Sequence, residues 1–69
     1  MQTYENVTVE VMDNRALITV DLTKDLGPTK SRRATMVGTT RGWQAIHHDT
    51  DENGLAIQYS LNLNLVRKP

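Results

Sequence analysis

Apolar residues recur at every second position in two parts of the chain. Val7, Val9 and Val11 alternate with polar neighbours, and Ala16, Ile18, Val20 and Leu22 repeat the pattern after Asp13-Asn14. A period of two places one set of side chains on one face of a pleated strand. Asp-Asn suits a two-residue hairpin turn, and with it Val11 faces Ala16, Val9 faces Ile18 and Val7 faces Val20. Every apolar residue then falls on one side, so turn and pattern specify the same register.

Toward the C-terminus, Leu55, Ile57, Tyr59, Leu61, Leu63 and Leu65 alternate with Ala56, Gln58, Ser60, Asn62 and Asn64. A helix would scatter these six apolar residues around its axis, and asparagine is a weak helix former. The pattern predicts one long, half-buried strand. Asn53-Gly54 before it reads as a hairpin turn that places Ile46 opposite Leu61 and Gln44 opposite Leu63, sending Trp43, Ala45 and His47 to the other face. Residues 34–40 form a short β-compatible segment ending at Arg41-Gly42. Residues 23–33, TKDLGPTKSRR, form a long exposed connection broken at Gly27-Pro28, with one helical turn expected near Lys24 to Leu26.

These elements predict an all-β fold: a small five-stranded antiparallel barrel or strongly curved sheet, similar in size to oligonucleotide-binding and SH3-like barrels, with a long basic loop between strands 2 and 3. The 69 residues make a single domain, 1–69. At this size only about 60% of the unfolded chain's surface is buried on folding. With no cysteine, neither disulfides nor a thiolate zinc site can support the core, so a homo-oligomer is expected. The N-terminal residues lack the basic and apolar regions of a signal peptide and no apolar run spans a membrane, which predicts a cytoplasmic protein.

The chain has no formal net charge, but the charge is unevenly placed. Lys24, Lys30, Arg32, Arg33 and Arg41 lie between residues 24 and 41 against Asp25 alone, whereas Asp49, Asp51 and Glu52 cluster later. Arginine forks beside the hydroxyls of Thr29 and Ser31, with Gly27 allowing close backbone approach, are suited to phosphate. In the expected registers Trp43 shares a face with Gly38, Thr40, Ala45, Asn62 and Asn64, a floor on which a base could stack. A solvated loop, and a tryptophan serving a core or interface, are the plain alternatives.

Other chemistry finds less support. His47 and His48 are adjacent on a strand and point to opposite faces, so they do not share a metal ion. Residues 49–54, DTDENG, begin like a calcium loop, but Ser60 stands where the closing glutamate belongs. No nucleophile has a recognisable base, and no metal or other cofactor is expected; the chain reads as a non-enzyme.

The run DLTKDLGPTKSRRATMVGTT, with LNLNLVRKP at the end, resembles a group of short uncharacterised microbial β proteins that carry a similar loop, small-residue strand and closing strand. That resemblance covers about two thirds of the chain and implies a compact β fold, with no activity attached. The function expected from the residues is sequence-independent nucleic-acid binding. Lys30, Arg32, Arg33 and Arg41 hold phosphates, Lys24 assists and Trp43 stacks, giving a logarithmic salt slope of about −3 to −4 for four or five neutralised phosphates. The alternative is a structural or protein-interaction module that forms a homo-oligomer through a sheet face or edge strand, with no nucleic-acid role.

Overall fold

The computed structural model describes Met1 to Pro69 as seven strands without a helix. They are β1 (Gln2–Thr3), β2 (Val7–Met12), β3 (Arg15–Val20), β4 (Thr35–Thr39), β5 (Gln44–Thr50), β6 (Ala56–Leu61) and β7 (Asn64–Arg67). They form three antiparallel sheets, β1-β2-β3, β4-β7 and β5-β6. None closes into a barrel. The expected five-stranded barrel or curved sheet is therefore corrected to an open, elongated arrangement of 48 × 21 × 15 Å. The closing strand cannot serve as one continuous edge, because it changes partner midway: residues 56–61 pair with β5 and residues 64–67 with β4.

The β2-β3 hairpin has the predicted register, with Val7, Val9 and Val11 opposite Val20, Ile18 and Ala16. Asp13 and Asn14 both take positive φ, 51° and 60°, which gives the mirror-image turn that matches strand twist. The β5-β6 register differs from expectation. Gln44 lies opposite Leu61 and His47 opposite Tyr59, with a bulge at Ile46. The cause is Asp51: its carboxylate accepts the N–H groups of Asn53 and Leu55 at 2.9 and 2.8 Å, while its backbone bonds Leu55 and Gly54. This builds a five-residue loop in place of the two-residue Asn53-Gly54 turn. The one-residue change turns His47 onto the face of Tyr59, where the rings lie 5.9 Å apart, and leaves Tyr59 half-exposed instead of buried in a core stripe.

The core centres on β4. Val7, Val9, Val37, Gly38, Thr39 and Thr40 are the six buried residues. β4 is flanked by β7 on one side and by Glu5 on the other, through the Glu5–Thr39 bridge. Asn6, at φ 57°, donates through Nδ2 to the carbonyls of Asp21 and Val37, each at 2.8 Å, and so ties the end of β3 to β4. Thr40 joins the two halves of the C-terminal ribbon: its hydroxyl accepts from Leu63 N–H at 3.0 Å and donates to the Gly42 carbonyl at 2.7 Å. Gly38 packs inward, since a Cβ there would lie 2.9 Å from Val20 Cγ1 and 3.1 Å from Val7 Cγ2.

This core is small for the chain. The accessible surface is 5478 Å², about 1,100 Å² more than expected for a compact monomer of this mass. The radius of gyration, 14.6 Å, exceeds the about 11 Å expected for a compact domain of this length. No helix is long and apolar enough to cross a membrane.

Candidate nucleic-acid interface

The segment expected to be a long exposed loop with a helical turn near Lys24 to Leu26 contains no helix there and instead folds back along the start of β4. Leu26 N–H bonds the Met36 carbonyl at 2.8 Å, Met36 N–H the Gly27 carbonyl at 2.9 Å, and Thr29 N–H the Ala34 carbonyl at 3.0 Å. Pro28, which has no N–H to offer a ladder, sits in an isolated bridge with Thr35 at this margin. Asp25 fixes the entry by accepting Gly27 N–H at 2.8 Å, and Gly27 takes φ 105°, a value that an L side chain rarely adopts.

At the tip, Arg32 N–H closes a turn on the Thr29 carbonyl at 2.9 Å, and Arg32 itself adopts φ 59°. The hydroxyls of Thr29 and Ser31 lie 3.2 Å apart, and Ser31 Oγ also faces Arg33 N–H at 3.4 Å. The two hydroxyls read from the sequence as phosphate donors thus help to shape the tip that presents Arg32 and Arg33.

β7 completes the site. Its pairing sets Arg67 opposite Thr35, so the end of the closing strand lies beside the base of the folded-back tip. A groove of about 340 Å³ results, lined by Pro28, Thr35 and four cations, Arg32, Arg33, Arg67 and Lys68, with no acidic side chain in its lining. Half of the chain's eight lysines and arginines converge here. Asp25 touches Arg67 from the rim at 3.8 Å, a loose contact between half-exposed groups that leaves the guanidinium available.

Arg67 and Lys68 are the members that the sequence reading missed. The cue was the basic end of the alternating C-terminal stretch, which antiparallel pairing with residues 34–40 carries back to Arg32-Arg33.

The other predicted residues lie elsewhere. Lys30 occupies the tip and Lys24 the connection before it; neither lines the groove or forms an ion pair. Arg41 lies beyond the opposite end of β4, where Nε and Nη2 fork onto the two carboxylate oxygens of Glu5. The hydrogen bond from Arg41 is the chief cause holding the Glu5 carboxyl below its ordinary range, and Glu5 in turn raises the Arg41 guanidinium. Trp43, at that same end, is 73% exposed and outside the groove. The expected stacking floor beneath it does not form, because Gly38 and Thr40 face the core.

A larger cavity of about 480 Å³ lies between the β2-β3 turn and the β5-β6 hairpin. It mixes Val11, Ile46 and Tyr59 with Asp13, Arg15 and Asp49, so it has no dominant charge and suits a polyanion less well than the smaller groove. No three His, Asp or Glu side chains converge as a metal site. No family model, curated protein or solved structure matches the chain.

Proposed function

We propose that the protein is a small nucleic-acid-binding module that grips phosphates through the groove of Arg32, Arg33, Arg67 and Lys68, largely independently of sequence. The carrying observation is the convergence of four cations from two distant chain segments on one groove without an acidic side chain, in a chain of zero net charge. Three of the four are arginines, whose planar forks bind phosphate oxygens two at a time. Lys30 and Lys24 lie on the connection leading into the groove and extend the positive field along a bound strand. Arg41 is committed to Glu5, and Trp43 offers a solvent-facing ring away from the groove.

The reading is of binding without catalysis, in the cytoplasm. Phosphate contacts carry no sequence information, and affinity through them is set by counterion release. Four neutralised phosphates give a logarithmic salt slope of about −3.6 on duplex DNA and about −2.8 on a single strand. Between 50 and 200 mM salt this amounts to a loss of about 150-fold and about 50-fold respectively. Fluorescence anisotropy with labelled duplex and single-stranded oligonucleotides at these two salt concentrations tests the proposal. Equal affinity at both, or no binding at the lower one, rejects it and leaves the interaction-module reading.

A further inference from the structure

We propose that two copies of the chain pair antiparallel through β3, with the two-fold axis at Ile18, to make a continuous six-stranded sheet. β3 is the outer strand of its sheet, hydrogen-bonded to β2 alone. Its residues, RALITV, contain no proline, no bulge and one charge, at the end nearest the turn. Edge strands normally carry such features to prevent pairing with another chain. β3 is also open on both faces: Leu17 is 49% exposed on one, and Ile18 is 41% exposed on the other although it faces buried Val9 across the sheet. The core therefore stops abruptly at this edge. The surplus surface of about 1,100 Å² compares with the about 800 Å² that each partner buries in an ordinary stable interface.

Geometry and charge select one register. In a two-residue hairpin the pair flanking the turn, here Met12 and Arg15, exchanges hydrogen bonds, and the pattern alternates from there. Arg15, Leu17 and Thr19 thus bond β2, while Ala16, Ile18 and Val20 turn their N–H and C=O groups outward. A two-fold axis at Ile18 sets Ile18 against its own copy and Ala16 against Val20 of the second copy, so all three outward residues are satisfied.

The same register places Arg15 opposite Asp21 of the second copy at both ends of the interface. Arg15 has no ion pair within the chain. Asp21 is held anionic by the Thr23 hydroxyl and N–H, both on Oδ1, which leaves Oδ2 for the guanidinium. An axis at Leu17 would set Asp13 against Asp21 and satisfy fewer outward groups. An axis at Thr19 would set Leu17 against Asp21. The edge of β6 is also uncharged, but it has no flanking charges that complement one another across a two-fold axis.

The chain has no cysteine, so single cysteines report the register directly. Across the proposed interface the two Ile18 Cα atoms lie about 5.5 Å apart, within disulfide reach. Leu17 faces Thr19 of the second copy, which puts the two Leu17 Cα atoms about 8 Å apart, beyond it. Ile18→Cys should form a covalent dimer under mild oxidation, and Leu17→Cys should not. Equal cross-linking of both, preferential cross-linking of Leu17→Cys, or neither, overturns the register.

Charge reversal gives a second test that needs no change to the apolar residues. Arg15→Glu should weaken the dimer about tenfold in sedimentation equilibrium, and Arg15→Glu with Asp21→Arg should restore it. A wild-type chain that sediments as a monomer at high micromolar concentration, or a dimer indifferent to both changes, refutes the proposal. The groove is built from β4, β7 and the folded-back tip, so oligonucleotide binding and dimerisation are separately measurable.

Discussion

Replacing Arg67 by glutamine separates the groove from the basic segment as read along the chain. Arg67 lies outside residues 24–41 yet lines the groove, whereas Arg41 lies inside that segment and is held by Glu5 at the far end of β4. If the groove binds phosphate, Arg67→Gln removes one of four contacts. The salt slope on duplex DNA should move from about −3.6 to about −2.7, and affinity at 0.1 M salt should fall about eightfold through the lost counterion release. Arg41→Gln should leave both quantities unchanged.

Stability does not confuse the comparison. Arg67 meets Asp25 at 3.8 Å and the Leu22 carbonyl at 3.4 Å, both long contacts at an exposed position, so its removal costs little and circular dichroism should be unaltered. The assay is anisotropy of a labelled duplex over a salt series for wild type and both variants. An Arg41→Gln loss equal to that of Arg67→Gln, or no change in slope for Arg67→Gln, would refute the assignment of the groove.

Four further outcomes follow from the fold. Gly38→Ala should destabilise by about 1–3 kcal/mol in urea denaturation, because its Cβ meets Val20, Val7 and the Asn6 carbonyl at 2.9, 3.1 and 3.2 Å; a variant as stable as wild type contradicts this packing. Thr40→Val should cost about 2 kcal/mol by stranding Leu63 N–H, while Thr40→Ser should retain most of the stability. Asn6→Asp should be worse than Asn6→Gly in thermal denaturation, because a carboxylate would face the two carbonyls that Asn6 now satisfies and glycine accepts the φ of 57° without strain. Glu5 and Asp21 have depressed folded-state pKa values, from the Arg41 hydrogen bond and from the Thr23 hydroxyl respectively. Their contributions are therefore present above the unfolded carboxylate pKa and lost as pH falls through the folded one; Arg41→Gln should flatten the acid side of the stability profile, and an unchanged profile would show that the fork contributes nothing in solution.

What could be read along the chain was whatever depends on neighbours. Alternation and the Asp13-Asn14 turn together specify the β2-β3 register, because both constrain the same few residues. The β5-β6 register was not legible for the same local reason: Asn53-Gly54 looks like a complete turn, but Asp51 captures two backbone N–H groups beyond it and lengthens the loop. A bulge at Ile46 then shifts the pairing again. The groove was half legible. Arg32 and Arg33 stand out as a pair, but joining them to Arg67 requires the long-range pairing of β4 with β7, which sets Thr35 opposite Arg67.

The alternating C-terminal stretch shows why a correct strand pattern led to an incorrect barrel. Alternation states which side chains share a face; it says nothing about whether that face meets one partner or two. Here Leu61 ends the pairing with β5, Leu63 is held through its backbone by Thr40, and the pairing with β4 begins at Asn64 opposite Thr39, with Leu65 next to it opposite Gly38. A single ribbon thus supports two small sheets and closes neither. Dividing it this way brings Arg67 to the groove, and it also confines the buried core to six residues around β4. β3, in a separate sheet, pairs with β2 alone and keeps Leu17 and Ile18 exposed, so neither half of the divided ribbon covers it.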